Sequence, residues 1–193
     1  MKGRLIFGLF VALALAQIAV PVGQITKYED ILRTGTVYKF RTAPVDPSDA
    51  FRGRYVALNF ADTEAPRRRG ETIGYRAPAF VTLRKDAAGF VQFGEISDMP
   101  PAEGDYLRVE YLFTRRAGGT VAQFQLPFTR FYMEETLAPR AEAAYSRHAN
   151  RRDRTVDDVY VAVRVKDGRG VIEDLFIKGK PIRDFLAKEA AAE

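Results

Sequence analysis

The chain of 193 residues contains no cysteine and a single histidine, His148. The first absence excludes disulfides, thiolate metal sites and cysteine nucleophiles. The fold must therefore stand on its core alone. With one histidine and no thiol, a transition-metal site has too few of its usual ligands. No phosphate-cradling loop is present either: Gly168-Arg169-Gly170 reads as a hairpin turn, not as the glycine-rich opening of a helix. Charge of one sign does not dominate, since 30 basic residues face 25 acidic ones. The short clusters Arg67-Arg68-Arg69, Arg115-Arg116 and Arg151-Arg152 read as solvated loop charge or as attraction to anionic lipid, rather than as a nucleic-acid surface.

From Leu5 to Ile25 there is no charged residue. That run is as long as a membrane-spanning helix needs to be. Lys2 and Arg4 in front of it predict a cytoplasmic N-terminus with the remaining chain exported. A cleaved signal peptide is the competing reading, because Ala14-Leu15-Ala16 has the pattern of a cleavage site. Apolar character continues past that site, and Lys27 and Tyr28 follow where interfacial anchors belong, which favours an anchor. The expected organisation is an anchor with a helical extension over 1–33 and an exported domain over 34–193. The expected address is the inner membrane, with one pass.

The rest of the chain reads as α+β: an N-terminal transmembrane helix, then a mostly antiparallel β domain with one inserted helix and a short C-terminal helix. Gly35 is expected to stop the first helix. Thr36–Thr42 and Arg54–Asp62 read as strands, and Thr63–Gly70 as a loop. Three hairpins are predicted from alternating runs around Asp86-Ala87-Ala88-Gly89, Ala117-Gly118-Gly119 and Asp167-Gly168-Arg169-Gly170. The inserted helix is placed over Met133–Arg151, with Pro139 either kinking it or lying in its first turn. Pro181–Ala192 reads as the last helix.

An eight-residue pattern occurs twice. Gly53-Arg54-Tyr55-Val56-Ala57-Leu58-Asn59-Phe60 reads G-x-Y-x-x-L-x-F, and Gly104-Asp105-Tyr106-Leu107-Arg108-Val109-Glu110-Tyr111 reads G-D-Y-x-x-V-x-Y. Only the first follows Pro44-Val45-Asp46-Pro47-Ser48-Asp49-Ala50-Phe51-Arg52. Together with Phe128–Glu135 and the ending Asp167–Pro181, this stretch resembles the GDYXXLXY domain family, bacterial proteins of unknown function with an N-terminal membrane segment. The first copy departs from the family name at Arg54 and Phe60, and the second at Val109. The resemblance implies a neighbour as well, since such domains are commonly encoded beside polytopic membrane proteins. Their flanks differ, so the two copies read as similar strands rather than as a duplication.

The residues most open to a functional reading are Asp46, Ser48, Asp49, Arg52, Arg54 and Tyr55 around the first motif, and Glu134 and Glu135 before the inserted helix. Asp46 and Asp49 in a proline-stiffened loop suit turn capping and arginine pairing, or contact with a partner or ligand. A cation is the weaker reading of that loop. Ser48 lacks the context of a serine–lysine hydrolase, and Lys85, the only lysine between Lys39 and Lys166, stands in what reads as an exposed turn. Glu134 and Glu135 suit the start of a helix. No cofactor, metal or nucleic acid is implied. The expected function is an envelope interaction domain tethered to the bilayer through residues 5–25, with a polytopic membrane protein as partner. The alternative from a different class is an envelope hydrolase using Asp46, Asp49 or Glu134; an enzyme is the less expected outcome. A small-ligand binder using the mouth of the β domain is a third.

Overall fold

The computed structural model describes residues 2–43, 55–68, 70–114, 119–150 and 158–191. In chain order the elements are α1 (Lys2–Thr34), β1 (Thr36–Ala43), β2 (Tyr55–Ala57), β3 (Asn59–Phe60), β4 (Glu64–Pro66), β5 (Pro78–Lys85), β6 (Val91–Ser97), β7 (Tyr106–Thr114), β8 (Val121–Gln125), β9 (Arg130–Tyr132), α2 (Ala138–Ala149), β10 (Val159–Lys166), β11 (Arg169–Ile177), β12 (Lys180–Pro181) and α3 (Ile182–Ala190). The expected α+β architecture is the observed one: a long apolar helix, then antiparallel sheets with a middle and a final helix.

α1 runs unbroken through Pro21 and ends where Gly35 donates its N–H to the Ile31 carbonyl at 2.8 Å. Its apolar window is long enough to cross a bilayer, and none of that window is buried against the rest of the protein. Its last turns behave differently. Ile31 is buried, and Lys166 Nζ reaches Asp30 Oδ2 at 2.7 Å and Thr34 Oγ1 at 2.9 Å. The helix therefore docks on the β10–β11 hairpin as it leaves its apolar stretch.

Among the described residues the domain holds two five-stranded sheets and the two-stranded ribbon β2–β9. One five-stranded sheet has the order β12-β11-β10-β1-β3, the other β4-β8-β7-β5-β6. The second curls until its edges meet, with Arg68 donating its N–H to the Ile96 carbonyl at 3.1 Å. Its strands alternate as half-buried strands should, and Ala79, Val81, Ile96, Leu107 and Ala122 are completely buried inside it. The first sheet buries Val159, Val161 and Val163 under α2 and α3, which contribute Ala141, Ala144, Tyr145 and Ile182. An aromatic cluster joins the sheets: Phe40 meets Phe128 edge-on at 5.2 Å, Phe60 at 6.1 Å and Phe93 at 6.0 Å between centroids.

Tyr145 is fully buried and donates its hydroxyl to the Ala43 carbonyl at 3.1 Å. Tyr145→Phe keeps the ring and leaves that carbonyl short of one donor. The expected cost is about 1 kcal/mol, read as a lowering of Tm by about 2–4 °C.

Several boundaries differ from expectation, each for a tertiary reason. The strand expected over Arg54–Asp62 is split at Leu58: β2 pairs with β9, while β3 crosses to pair with β1. Its buried members are Val56, Leu58 and Phe60, at a spacing of two, so Tyr55 faces the other way. Within the expected Thr63–Gly70 loop lies β4, where Pro66 is tolerated because β4 is an edge strand pairing only with β8. α2 begins at Ala138 with Pro139 in its first turn, so the turn before it, not the helix, holds Glu134 and Glu135. There the Glu134 carbonyl accepts the N–H groups of Leu137 and Ala138. The two motif copies also lie in different settings: the described part of the first divides between β2 and β3, while the second runs straight along β7.

Candidate functional site

Asp46, Ser48, Asp49, Arg52 and Arg54 lie outside the described residues. Tyr55, Glu134 and Glu135 lie within them. The β2–β9 ribbon holds the Tyr55 ring 5.7 Å from that of Tyr132, with the Arg130 guanidinium 4.9 Å from the Tyr55 ring centre. Glu134 is exposed and accepts from Arg183 Nη1 at 2.7 Å. Glu135 is exposed beside it.

Arg130, Tyr132 and Arg183 are walls of one cleft of about 620 Å³. The range for small-molecule sites is roughly 300–1,000 Å³. One wall is the segment Pro127–Tyr132 leading into and along β9; the other is Gly170–Asp174 of β11; Tyr28 near the end of α1 closes a side. Gly170 lets the walls approach, since a β-carbon there would stand 2.6 Å from the Phe128 ring. Tyr55 and Glu134 thus border the cleft by holding side chains that line it. Sequence reasoning placed Tyr28 at the membrane interface but missed Arg130, Glu173, Asp174 and Arg183. These come from separate segments with no shared spacing.

Two of the four charges in the lining are tied. Glu173 accepts twice from Arg164, at 2.9 and 3.0 Å, and Arg183 holds Glu134. Asp174 accepts the N–H of Leu175 at 2.7 Å. Burial pushes its carboxyl above the ordinary value, partly offset by that N–H and by Arg183. A carboxyl raised in the folded state lets stability fall as pH rises from its ordinary value through its folded one. Asp174→Asn keeps the acceptor and removes the charge. The variant is expected to unfold at the same temperature as the wild type near pH 3, and at a higher one at pH 7. Unfolding scans at both pH values check this.

The second motif copy does structural work. Tyr38 donates to Asp105 Oδ2 at 2.8 Å, and Leu83 donates its N–H to the Asp105 carbonyl, so the aspartate ties β1 to the neighbouring sheet. Burial, and then Asp105, push the Tyr38 phenol above its ordinary range. Lys85 is exposed, with its ammonium 4.9 Å from the Tyr38 ring centre. His148 packs edge-on against Phe185 and has Nδ1 2.9 Å from the Ala144 carbonyl, the setting of a packing residue. Among the described residues no cluster of three or more potential metal ligands occurs.

The sequence model of the GDYXXLXY protein family matches residues 17–175. The chain belongs to that family. The match reaches from the apolar part of α1 into β11, so it includes the joint with the helix and the cleft's two strand walls, 127–132 and 170–174, while Arg183 lies beyond it. Neither a curated protein nor a solved structure matches this GDYXXLXY protein. The family is one of unknown function, and the site's chemistry must be argued from its geometry.

Proposed function

We propose that this GDYXXLXY protein is a single-pass inner-membrane protein whose β-rich domain, residues 34–193, stands outside the cytoplasm and binds a polytopic membrane protein. One observation carries the reading. α1 exposes Ile6, Phe7, Leu9, Phe10, Leu13 and further apolar residues along its length, then docks on β10–β11 through Asp30 and Ile31 without a break. A bare apolar helix of this length requires a lipid or protein environment. The docked turn fixes the domain close to the bilayer, where a membrane partner is within reach. The stretch 44–60 and the β2–β9 ribbon it leads into are the proposed contact, with Tyr55 at its described end.

The hydrolase alternative needs two carboxylates in one concavity, one of them shielded. Glu173 and Asp174 share the cleft, and Asp174 is raised by burial. Glu173 is committed to Arg164, and Glu134 is exposed and paired, so interaction is the reading we retain.

The test is affinity isolation from detergent extracts with the full chain, with Arg52→Glu, and with a chain lacking residues 2–25. The expected result is one polytopic protein held by the full chain and lost by Arg52→Glu. Absence of any specific partner from all three preparations contradicts the proposal.

A further inference from the structure

We propose that the cleft between β9 and β11 binds the headgroup of a zwitterionic phospholipid, its phosphate on Arg130 and its primary ammonium on Asp174. The inference rests on the reading that α1 spans the bilayer.

As an α-helix, Leu5 to Ile25 rises about 30 Å, the thickness of the hydrocarbon core. Tyr28 is then about 4.5 Å beyond the boundary of an upright helix, within a headgroup layer roughly 5–7 Å deep. Tyr28 lines the cleft, so the cleft opens at headgroup level. A lipid can enter it without lifting its chains out of the bilayer.

The charges decide the class of lipid. Glu173 and Arg183 are occupied by Arg164 and Glu134. Arg130 and Asp174 remain in the lining with no ion pair to each other or to another described residue. Arg130 is held against the Tyr55 ring and by a hydrogen bond to the Tyr132 side chain, which together fix its guanidinium while leaving further N–H groups of its five for an anion. Asp174 uses one oxygen on the Leu175 N–H and has acceptor capacity left. One cation and one anion in the same cleft complement a headgroup bearing both signs. A purely anionic headgroup would meet the Asp174 carboxylate. A trimethylammonium has no N–H to give that carboxylate; a primary ammonium has three. Val171, Ile172 and Phe131 supply apolar wall for the glycerol portion.

The experiment uses the full chain in nanodiscs of equimolar ethanolamine, choline and glycerol phospholipids, followed by mild detergent release and native mass spectrometry. The expected result is retained ethanolamine lipid enriched about tenfold over each competitor, the yield of a charge-assisted hydrogen bond. Asp174→Asn is expected to bring the enrichment to parity, whereas Arg130→Gln, which loses a contact to the phosphate common to all three lipids, is expected to lower the amount of each retained while leaving the preference. Circular dichroism confirms the fold of each variant, and if Asp174→Asn fails to fold, the preference of the wild type and the total retention of Arg130→Gln decide. Equal retention of the three lipids by the wild type, preference for the choline or glycerol lipid, enrichment unchanged in folded Asp174→Asn, or total retention unchanged in folded Arg130→Gln overturns the proposal. Flotation of the same protein with liposomes separates the two readings. A chain that does not float has lost its membrane assignment. One that floats without headgroup preference has lost only the cleft.

Discussion

Phe40→Ala is expected to destabilise the domain by about 3–5 kcal/mol, the usual cost of deleting a buried aromatic ring. Phe40 is 1% exposed and stands on β1, the strand between β10 and β3. Its ring meets Phe60, Phe93 and Phe128, residues of β3, β6 and the segment before β9. Alanine would leave a void at the junction of both sheets, where neither can collapse without disturbing its own pairing. Domains of ordinary stability hold about 5–15 kcal/mol, so this one change removes a large share. Phe113, 51% exposed, is the control, and its alanine variant is expected to change stability by less than about 0.5 kcal/mol. The chain has no tryptophan, so unfolding is best followed by circular dichroism. A cost below about 1 kcal/mol at Phe40 would show that the cluster does not join the sheets.

Gly168→Ala is expected to cost about 2–5 kcal/mol, as the sum of two separable effects. Asp167 and Gly168 form the β10–β11 turn with φ of 49° and 74°, the consecutive left-handed pair that Asp-Gly hairpin turns use. An alanine at the second position bears the cost of the left-handed backbone, about 1–2 kcal/mol. Its β-carbon would also stand 2.5 Å from the Tyr106 ring, which packs beneath the turn. Gly104, the motif glycine, separates the two effects: it has φ of 82°, and a β-carbon added there would meet nothing within 4 Å. Gly104→Ala should therefore cost only the backbone share. Equal losses at the two positions would mean that Tyr106 does not press on the turn.

The hairpins were legible because their causes are local. Asp-x-x-Gly, Gly-Gly and Asp-Gly signals between alternating runs mark a chain reversal, and β5–β6, β7–β8 and β10–β11 pair on either side of them, each with a register shift that the turn does not announce. α1 was legible for the same reason, as was its stop at Gly35. What escaped depends on distant partners. The break at Leu58 exists because β9 takes Val56 while β1 takes Phe60, and nothing near residue 58 announces two partners. β4 was hidden by Pro66, whose lack of an N–H is harmless only at a sheet edge. The start of α2 was open between a kink and a first-turn proline, and the second is observed. The cleft was not legible at all. Its walls come from segments far apart in the chain, and Arg130 gains its setting only when Tyr55 pairs opposite Tyr132.

The account depends on α1 crossing the bilayer with the β domain on the far side. Fusing a reporter pair to the C-terminus tests this directly, with alkaline phosphatase active only outside the cytoplasm and a green fluorescent protein bright only within it. The account predicts phosphatase activity in the membrane fraction and no fluorescence. Bright cytoplasmic fluorescence without phosphatase activity would contradict it.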